Sequence, residues 1–325
     1  MADSGLAAHH VRKALREFLE SACAPGDTVV LGVSGGADSL ALAAAASNIQ
    51  AETSLSFFAV VIDHGLQPES AAIAQEAAER CADLGLSHVR VVAVEVDTTH
   101  GDGIEAAART ARYAALRTVA QEVCAAGIVV AHTREDQAET VLLRLARGSG
   151  TRAIAGMQAV AGDIWRPLLD LSRQTLRDSL SFYGVTPHDD VHNRDPRFLR
   201  SHIRHEVMPM LRDVLGADIE SALAQTAALA GEDANALDDA AAALYQSCVV
   251  GSDLVYSAFG LHPAAVTKRV VRLWLIERGV SAAGLGRVHI EAVHRLATDR
   301  TISGPVKVVG GVEVSKASGR LRVLT

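Results

Sequence analysis

The sequence predicts an α/β protein, a doubly wound and mainly parallel sheet followed by a smaller α+β C-terminal domain. Three observations carry that expectation. Short continuous apolar runs such as Val29-Val30-Leu31 and Phe57-Phe58-Ala59-Val60-Val61 read as strands buried on both faces. Alanine-rich stretches at helical spacing lie between them, and strands that alternate with helices build parallel sheets. After Arg212 the alternation stops, which gives one domain of residues 1–213 and a second of 214–325. With 325 residues, 49% of them hydrophobic and 21% charged, the chain is long enough for both and for a substantial buried core.

Taken in order, the first segment, MADSGLAAHHVRKALREFLE, interleaves charged and apolar residues at helical spacing. It reads as an amphipathic helix and not as a signal peptide. No apolar run reaches membrane-spanning length, so no membrane is expected as a partner and the expected location is the cytoplasm. Thr28 to Val33 is the first strand, which passes through Ser34-Gly35-Gly36-Ala37-Asp38-Ser39 into a helix reaching Ser47. Ser56 to Asp63 is the second strand, and it delivers His64 beyond its carboxyl end, where ligands of open α/β sheets bind. A helix over Gln67 to Leu84, a strand over Val89 to Val94, a helix over Gly103 to Val123 and a strand over Gly127 to Ala131 follow.

His132 comes directly after that strand, and Thr133 caps a helix that runs to Arg147 and ends at Gly148-Ser149-Gly150. In the second domain Ile219 to Tyr245 reads as two helices and Pro263 to Arg278 as an amphipathic one. The tail, Val306 to Leu324, reads as strands turning at Gly310-Gly311 and Ser318-Gly319.

Chemistry concentrates in the first domain. The loop Ser34 to Ser39 suits a phosphate group, because two glycines let the backbone approach a ligand and the helix behind it presents unpaired N–H groups. Ser34 and Ser39 add hydroxyl donors, and Asp38 is placed to hold a magnesium ion. It is neither a Walker loop, which requires Gly-Lys-Ser/Thr, nor a dinucleotide fingerprint, which requires a third glycine. Arg109 and Arg112 share a helix face and suit phosphate or carboxylate as forks, or serve as a solvated face. Asp136 and Glu139 lie three apart at a helix start, where the helix dipole alone also favours acids. Cys23, Cys81, Cys124 and Cys248 are scattered, with no metal-binding spacing. The net charge of −7 argues against a non-specific nucleic-acid binder, yet Arg144 to Arg212 holds eleven arginines against seven acidic residues.

These motifs together resemble a known family. SGGADS is similar to the SGGxDS signature of the PP-loop ATP pyrophosphatases, which share an adenine nucleotide alpha hydrolase-like fold. AHTREDQAETVLLRLARGSG, from Ala131, looks like the AHTxDDQAETxLLRLxRGSG block of the tRNA(Ile)-lysidine synthetases. IDHGLQPES, EAAARTARYAAL, Arg166-Pro167-Leu168-Leu169 and the run from Asn193 to Pro209 are further matches, so the resemblance spans roughly residues 25 to 215. Two departures stand out: Glu135 replaces the first aspartate of the block, and Ser201-His202 replace an amide and an arginine.

The resemblance implies a ligase in two steps. ATP adenylates the C2 oxygen of the wobble cytidine of the isoleucine tRNA with a CAU anticodon, and the side-chain amine of free L-lysine then displaces AMP. It implies ATP and Mg2+ at Ser34, Gly35, Gly36, Ala37, Asp38, Ser39 and His64, with the metal on Asp38. Catalytic roles fall to Asp38, Arg109, Arg112, His132, Asp136 and Glu139, lysine binding to Asp136 and Glu139, and tRNA binding to Arg194, Arg197, Arg200 and Arg204. The quaternary state is left between monomer and homodimer. Two other readings share the loop. A PP-loop tRNA thiolation enzyme would need cysteine pairs, and a non-catalytic adenine-nucleotide sensor would need neither the acidic helix nor the arginines.

Overall fold

The computed structural model describes residues 2–65, 68–96, 104–148, 150–186, 199–282 and 284–324. It divides into two compact units, Met1–Leu229 and Ala230–Thr325. The first unit opens with α1 (Ala2–Ala22), β1 (Thr28–Val33), α2 (Ala37–Glu52), β2 (Ser56–Asp63), α3 (Ser70–Asp83) and β3 (His88–Ala93). Then come α4 (Ile104–Glu122), β4 (Gly127–Val130), α5 (Arg134–Ala146), α6 (Thr151–Ile154), β5 (Val160–Ala161), β6 (Ile164–Trp165), α7 (Arg173–Tyr183), α8 (Leu199–His202) and α9 (Met208–Leu215).

Six strands form one sheet in the order β3-β2-β1-β4-β6-β5, parallel throughout except for the β5–β6 hairpin. The period-two alternation of side chains divides each strand between two cores. Val29, Leu31 and Val33 of β1 and Phe57, Ala59 and Val61 of β2 pack with Leu15, Leu40, Ala77, Leu176 and Leu180 from α1, α2, α3 and α7. Val30, Val60, Ile62, Ile128 and Val130 point the other way, onto Tyr113, Leu116 and Val119 of α4. Helices on both faces explain why the strand sequences are continuously apolar. β5 and β6 are two residues each, too short to leave a periodic signal, and the sequence reading missed both.

One glycine fixes how closely β4 and β6 approach. A Cβ on Gly127 would lie 2.3 to 2.6 Å from three atoms of the Trp165 indole, which itself packs on Phe18 with ring centroids 5.6 Å apart. Gly127→Ala is therefore expected to cost about 3 kcal/mol, the upper end for overpacking a core. Chemical denaturation checks this, and an unchanged midpoint would mean that the indole swings aside. Cys124 stands just before β4 in a tight turn, exposed and with φ +50°. Cys81 and Cys248 are buried and Cys23 is half-buried, and burial pushes the Cys81 thiol up to about 12.

The helix α10 (Ile219–Cys248) is continuous over 30 residues where the sequence predicts two helices. Gly231 inside it costs about 1 kcal/mol relative to alanine, too little to break a run so rich in alanine. In the second unit, β7 (Val249–Val250), β8 (Asp253–Val255), α11 (Ala264–Glu277), α12 (Arg287–Thr298), β9 (Val306–Lys307), β10 (Glu313–Ala317) and β11 (Arg320–Leu324) follow. Its antiparallel sheet, in the order β7-β8-β11-β10-β9, packs Leu254, Val314 and Leu321 on Val270, Trp274, Val293 and Leu296. Ser318 and Gly319, both at positive φ, close the β10–β11 hairpin as its two-residue turn requires. No described helix is long and apolar enough to cross a membrane.

Candidate active site

The loop between β1 and α2 is shaped from within. Ser34 N–H donates to Ser39 Oγ at 3.1 Å, and Ser39 Oγ donates to the Gly36 carbonyl at 2.9 Å. Gly35 has φ +78° and runs so close to α3 that an added Cβ would lie 2.9 Å from Ala77 Cβ. Gly36, the N-cap residue, supplies no side chain to the first turn of α2, so the N–H groups there stay available to an anion. Asp38 stands in that turn. Its Oδ2 accepts from Arg173 Nε at 3.3 Å, while its Oδ1 is buried and has no partner. Burial, only partly offset by Arg173, pushes the Asp38 carboxyl up to about 6. An orphaned, buried carboxylate oxygen beside a phosphate cradle fits a magnesium ion, which takes oxygen donors and compensates charge.

Next to it, α5 carries the acidic pair. Thr133 is the N-cap, and Asp136 Oδ2 accepts from its N–H at 2.9 Å and from its hydroxyl at 3.0 Å. That half of Asp136 is helix capping. The other oxygen, Oδ1, accepts from Arg173 at 3.1 Å, Arg200 at 3.2 Å and Arg204 at 2.9 Å. Burial alone would raise the Asp136 pKa, but Arg173, Arg200 and Arg204 outweigh it and hold the carboxyl below its ordinary range. Glu139, whose side chain is 1% exposed, accepts from Arg204 Nε at 2.7 Å and Arg200 Nε at 2.9 Å. Arg173 is the junction, since its backbone N–H also donates to Glu135 Oε2 at 2.8 Å.

A second group of cations adjoins the pair. Arg109 and Arg112 of α4 stack over the Tyr113 ring at 5.0 and 5.2 Å from its centroid. Arg166 and Arg112 each bury an Nε without a partner. Arg144 donates to the carbonyls of Ala153 and Gly156. Burial and mutual repulsion lower the pKa values of Arg112, Arg144 and Arg166. Although burial would raise the Tyr113 phenol, Arg109, Arg112 and Arg166 outweigh it and pull it below its usual range. His132 is half-buried, with its Nδ1 buried and unpartnered, and desolvation followed by Arg166, Arg112 and Arg200 keeps it neutral against the pull of Asp136. His64 is lowered by burial and Arg112. So dense a set of desolvated guanidiniums is a ready site for an anion.

Residues 7–211 match the family described as PP-loop domain, and residues 254–322 match the TilS substrate binding domain. The tRNA(Ile)-lysidine synthase of Thermobifida fusca (strain YX) is 42% identical over 315 residues, covering 96% of this chain and 95% of that one. That of Nocardia farcinica (strain IFM 10152) is 44% identical over 303 residues, covering 93% and 91%. The chain belongs to the tRNA(Ile)-lysidine synthase family. Among solved structures, the U34-tRNA thiolase NcsA from Methanococcus maripaludis with its [4Fe-4S] cluster superposes with a TM-score of 0.57. It is 14% identical and covers 70% of this chain and 80% of that one, so the likeness is one of fold.

Against the lysidine synthase resemblance, the structure draws together Asp38, Asp136, Glu139, Arg200 and Arg204 in one ion-pair network, with Arg112 and His132 acting on it electrostatically. Arg194 and Arg197 lie outside the described residues. The sequence reading set Arg200 and Arg204 on tRNA and the acidic pair on lysine; in the structure these four side chains bind each other. It set the arginines after Arg144 together on tRNA phosphates and singled out neither Arg173 nor Arg166, and it gave Arg144 and Glu135 no role in the site. Arg173 did leave a signal, since a cation in the first turn of α7 opposes the helix dipole and calls for a local carboxylate.

Proposed function

We infer that the chain ligates L-lysine to C2 of the wobble cytidine of the isoleucine tRNA with a CAU anticodon, consuming ATP and releasing AMP and pyrophosphate. One observation carries the reading beyond family membership: a single side chain, Arg173, joins the phosphate loop at Asp38 to the buried acidic pair. On this reading phosphoryl activation and amine binding share one guanidinium.

The steps follow from charge. The cytidine C2 oxygen is a poor leaving group; it attacks the α-phosphorus of ATP, the bond to pyrophosphate breaks, and the oxygen then departs as part of AMP. Ser34, Gly35, Gly36, Ala37 and Ser39 present N–H and hydroxyl donors to the phosphates, and His64 lies at the strand end beside them. Asp38 would hold a magnesium ion, which would neutralise charge on the departing pyrophosphate. Arg109, Arg112, Arg144 and Arg166 face the developing negative charge of the adenylated oxygen. One carboxylate of the Asp136–Glu139 pair anchors the α-ammonium of lysine, and the side-chain amine, giving up its proton as it attacks, displaces AMP at C2. His132 receives the proton from that amine; the anionic adenylate offsets the guanidiniums that keep the imidazole from charging. Arg194, Arg197, Arg200 and Arg204 meet tRNA phosphates, and the second domain supports RNA binding.

Pyrophosphate release tests the reading. With ATP and the unmodified isoleucine tRNA, release is expected without lysine, and adding lysine yields tRNA heavier by the lysine residue. Nucleotide binding without release would favour the sensor reading instead.

A further inference from the structure

We propose that Arg173, Arg200 and Arg204 stand in for the ammonium groups of the amino-acid substrate, so that lysine enters only after an anionic substrate has drawn a guanidinium off the acidic pair. The inference rests on assigning Asp136 and Glu139 to lysine. It goes beyond that assignment in fixing an order of binding.

All four carboxylate oxygens of the pair are occupied. Asp136 Oδ2 is taken by the Thr133 cap, and its Oδ1 by Arg173, Arg200 and Arg204. Glu139 Oε1 is held by Arg204 Nε at 2.7 Å, with Arg173 Nη2 at 3.6 Å, and its Oε2 by Arg200 Nε at 2.9 Å and Arg204 Nη2 at 3.0 Å. An ammonium group brings only donors, so it gains a partner here by displacing a guanidinium. With Asp38 the network sets three cations against three anions, and it offers an extra cation no unmet charge.

The displaced side chains have somewhere to go. Arg173, Arg200 and Arg204 are 20 to 30% exposed, whereas Glu139 is 1% exposed, so an arriving anion meets the arginines and not the acids. Arg204 lies in a π-helical turn, Ile203–Val207, where Met208 N–H reaches back five residues to the Ile203 carbonyl. Pro209, lacking an N–H, follows at once in α9. Phosphates of tRNA or of ATP are anions of the class that guanidinium forks prefer. The amine thus finds its carboxylates free at the stage when the carbonyl to be attacked has been engaged. In this account the three arginines are positioning residues.

Equilibrium dialysis of radiolabelled L-lysine against the full chain tests the order, with the protein alone, with α,β-methylene-ATP and Mg2+, and with the same nucleotide plus the isoleucine tRNA, so that the nucleotide's phosphates are told apart from those of tRNA. Lysine is expected to bind at least about tenfold more tightly in the presence of tRNA, a difference of about 1.4 kcal/mol. Arg200→Gln, which takes one cation from the network and leaves Glu139 Oε2 to Arg204 alone, is expected to tighten lysine binding to the tRNA-free chain and to weaken the tRNA dependence, while Arg200→Lys restores it. Equal lysine affinity with and without tRNA in the parent chain overturns the proposal, whether or not the variants fold. The assignment of lysine is judged separately, by whether the parent chain adds the lysine mass to tRNA: product formation with tRNA-independent binding defeats only the proposed order.

Discussion

Asp38→Asn is expected to reduce pyrophosphate release about a hundredfold or more, on the scale of losing one preorganised electrostatic group, while melting no lower than the parent chain. The two outcomes have one cause. Burial raises the Asp38 carboxyl to about 6, above its value in an unfolded chain, so the ionised side chain costs stability at neutral pH. Its stabilising contribution is present below the unfolded pKa and is lost as pH rises through about 6. A neutral amide escapes that cost, and Arg173 keeps its contact with Asp136. The melting advantage of the variant should therefore be larger at pH 8 than at pH 5, and saturating Mg2+ and ATP should shrink it by stabilising only the parent. Pyrophosphate release at the parental rate would remove Asp38 from the metal site.

Glu139→Gln is expected to raise the lysine concentration needed for turnover about a hundredfold, the effect of unpairing a desolvated charge by roughly 3 kcal/mol, while pyrophosphate release persists. Stability should fall by a similar amount, because Arg200 and Arg204 each lose a charged partner at a nearly fully buried position. Lysine titration and denaturant unfolding separate the two consequences. A destabilised variant with the parental lysine requirement would mean that Glu139 serves the arginines alone.

Much of this architecture is written locally. Val29 to Val33 is apolar on both faces, Thr133 precedes the first turn it caps, and Ser318-Gly319 supplies the conformations its hairpin needs; each is a property of a few adjacent residues. The network at Asp136 and Glu139 is not local. Arg200 and Arg204 come from more than sixty positions away along the chain, and an ion pair at that separation leaves no periodicity to detect. Read one segment at a time, cations point to RNA and anions to an amine; only folding shows that they answer each other first. Arg173 escaped for the same reason, having no flagged motif around it. The continuity of α10 has no local mark either, because Gly231 costs only about 1 kcal/mol and the alanine-rich background tolerates it.

Cys124 offers a practical handle. Of the chain's four thiols it is the one that is exposed, and it stands at the entrance of β4, while His132, Asp136 and Glu139 lie beyond that strand's exit. A maleimide fluorophore should couple there selectively, the buried Cys81 being held protonated. The dye would sit at the opposite end of the strands from the candidate site, and its anisotropy would follow the slower tumbling of the protein once a tRNA is aboard. Binding could then be timed against pyrophosphate release in the same cuvette.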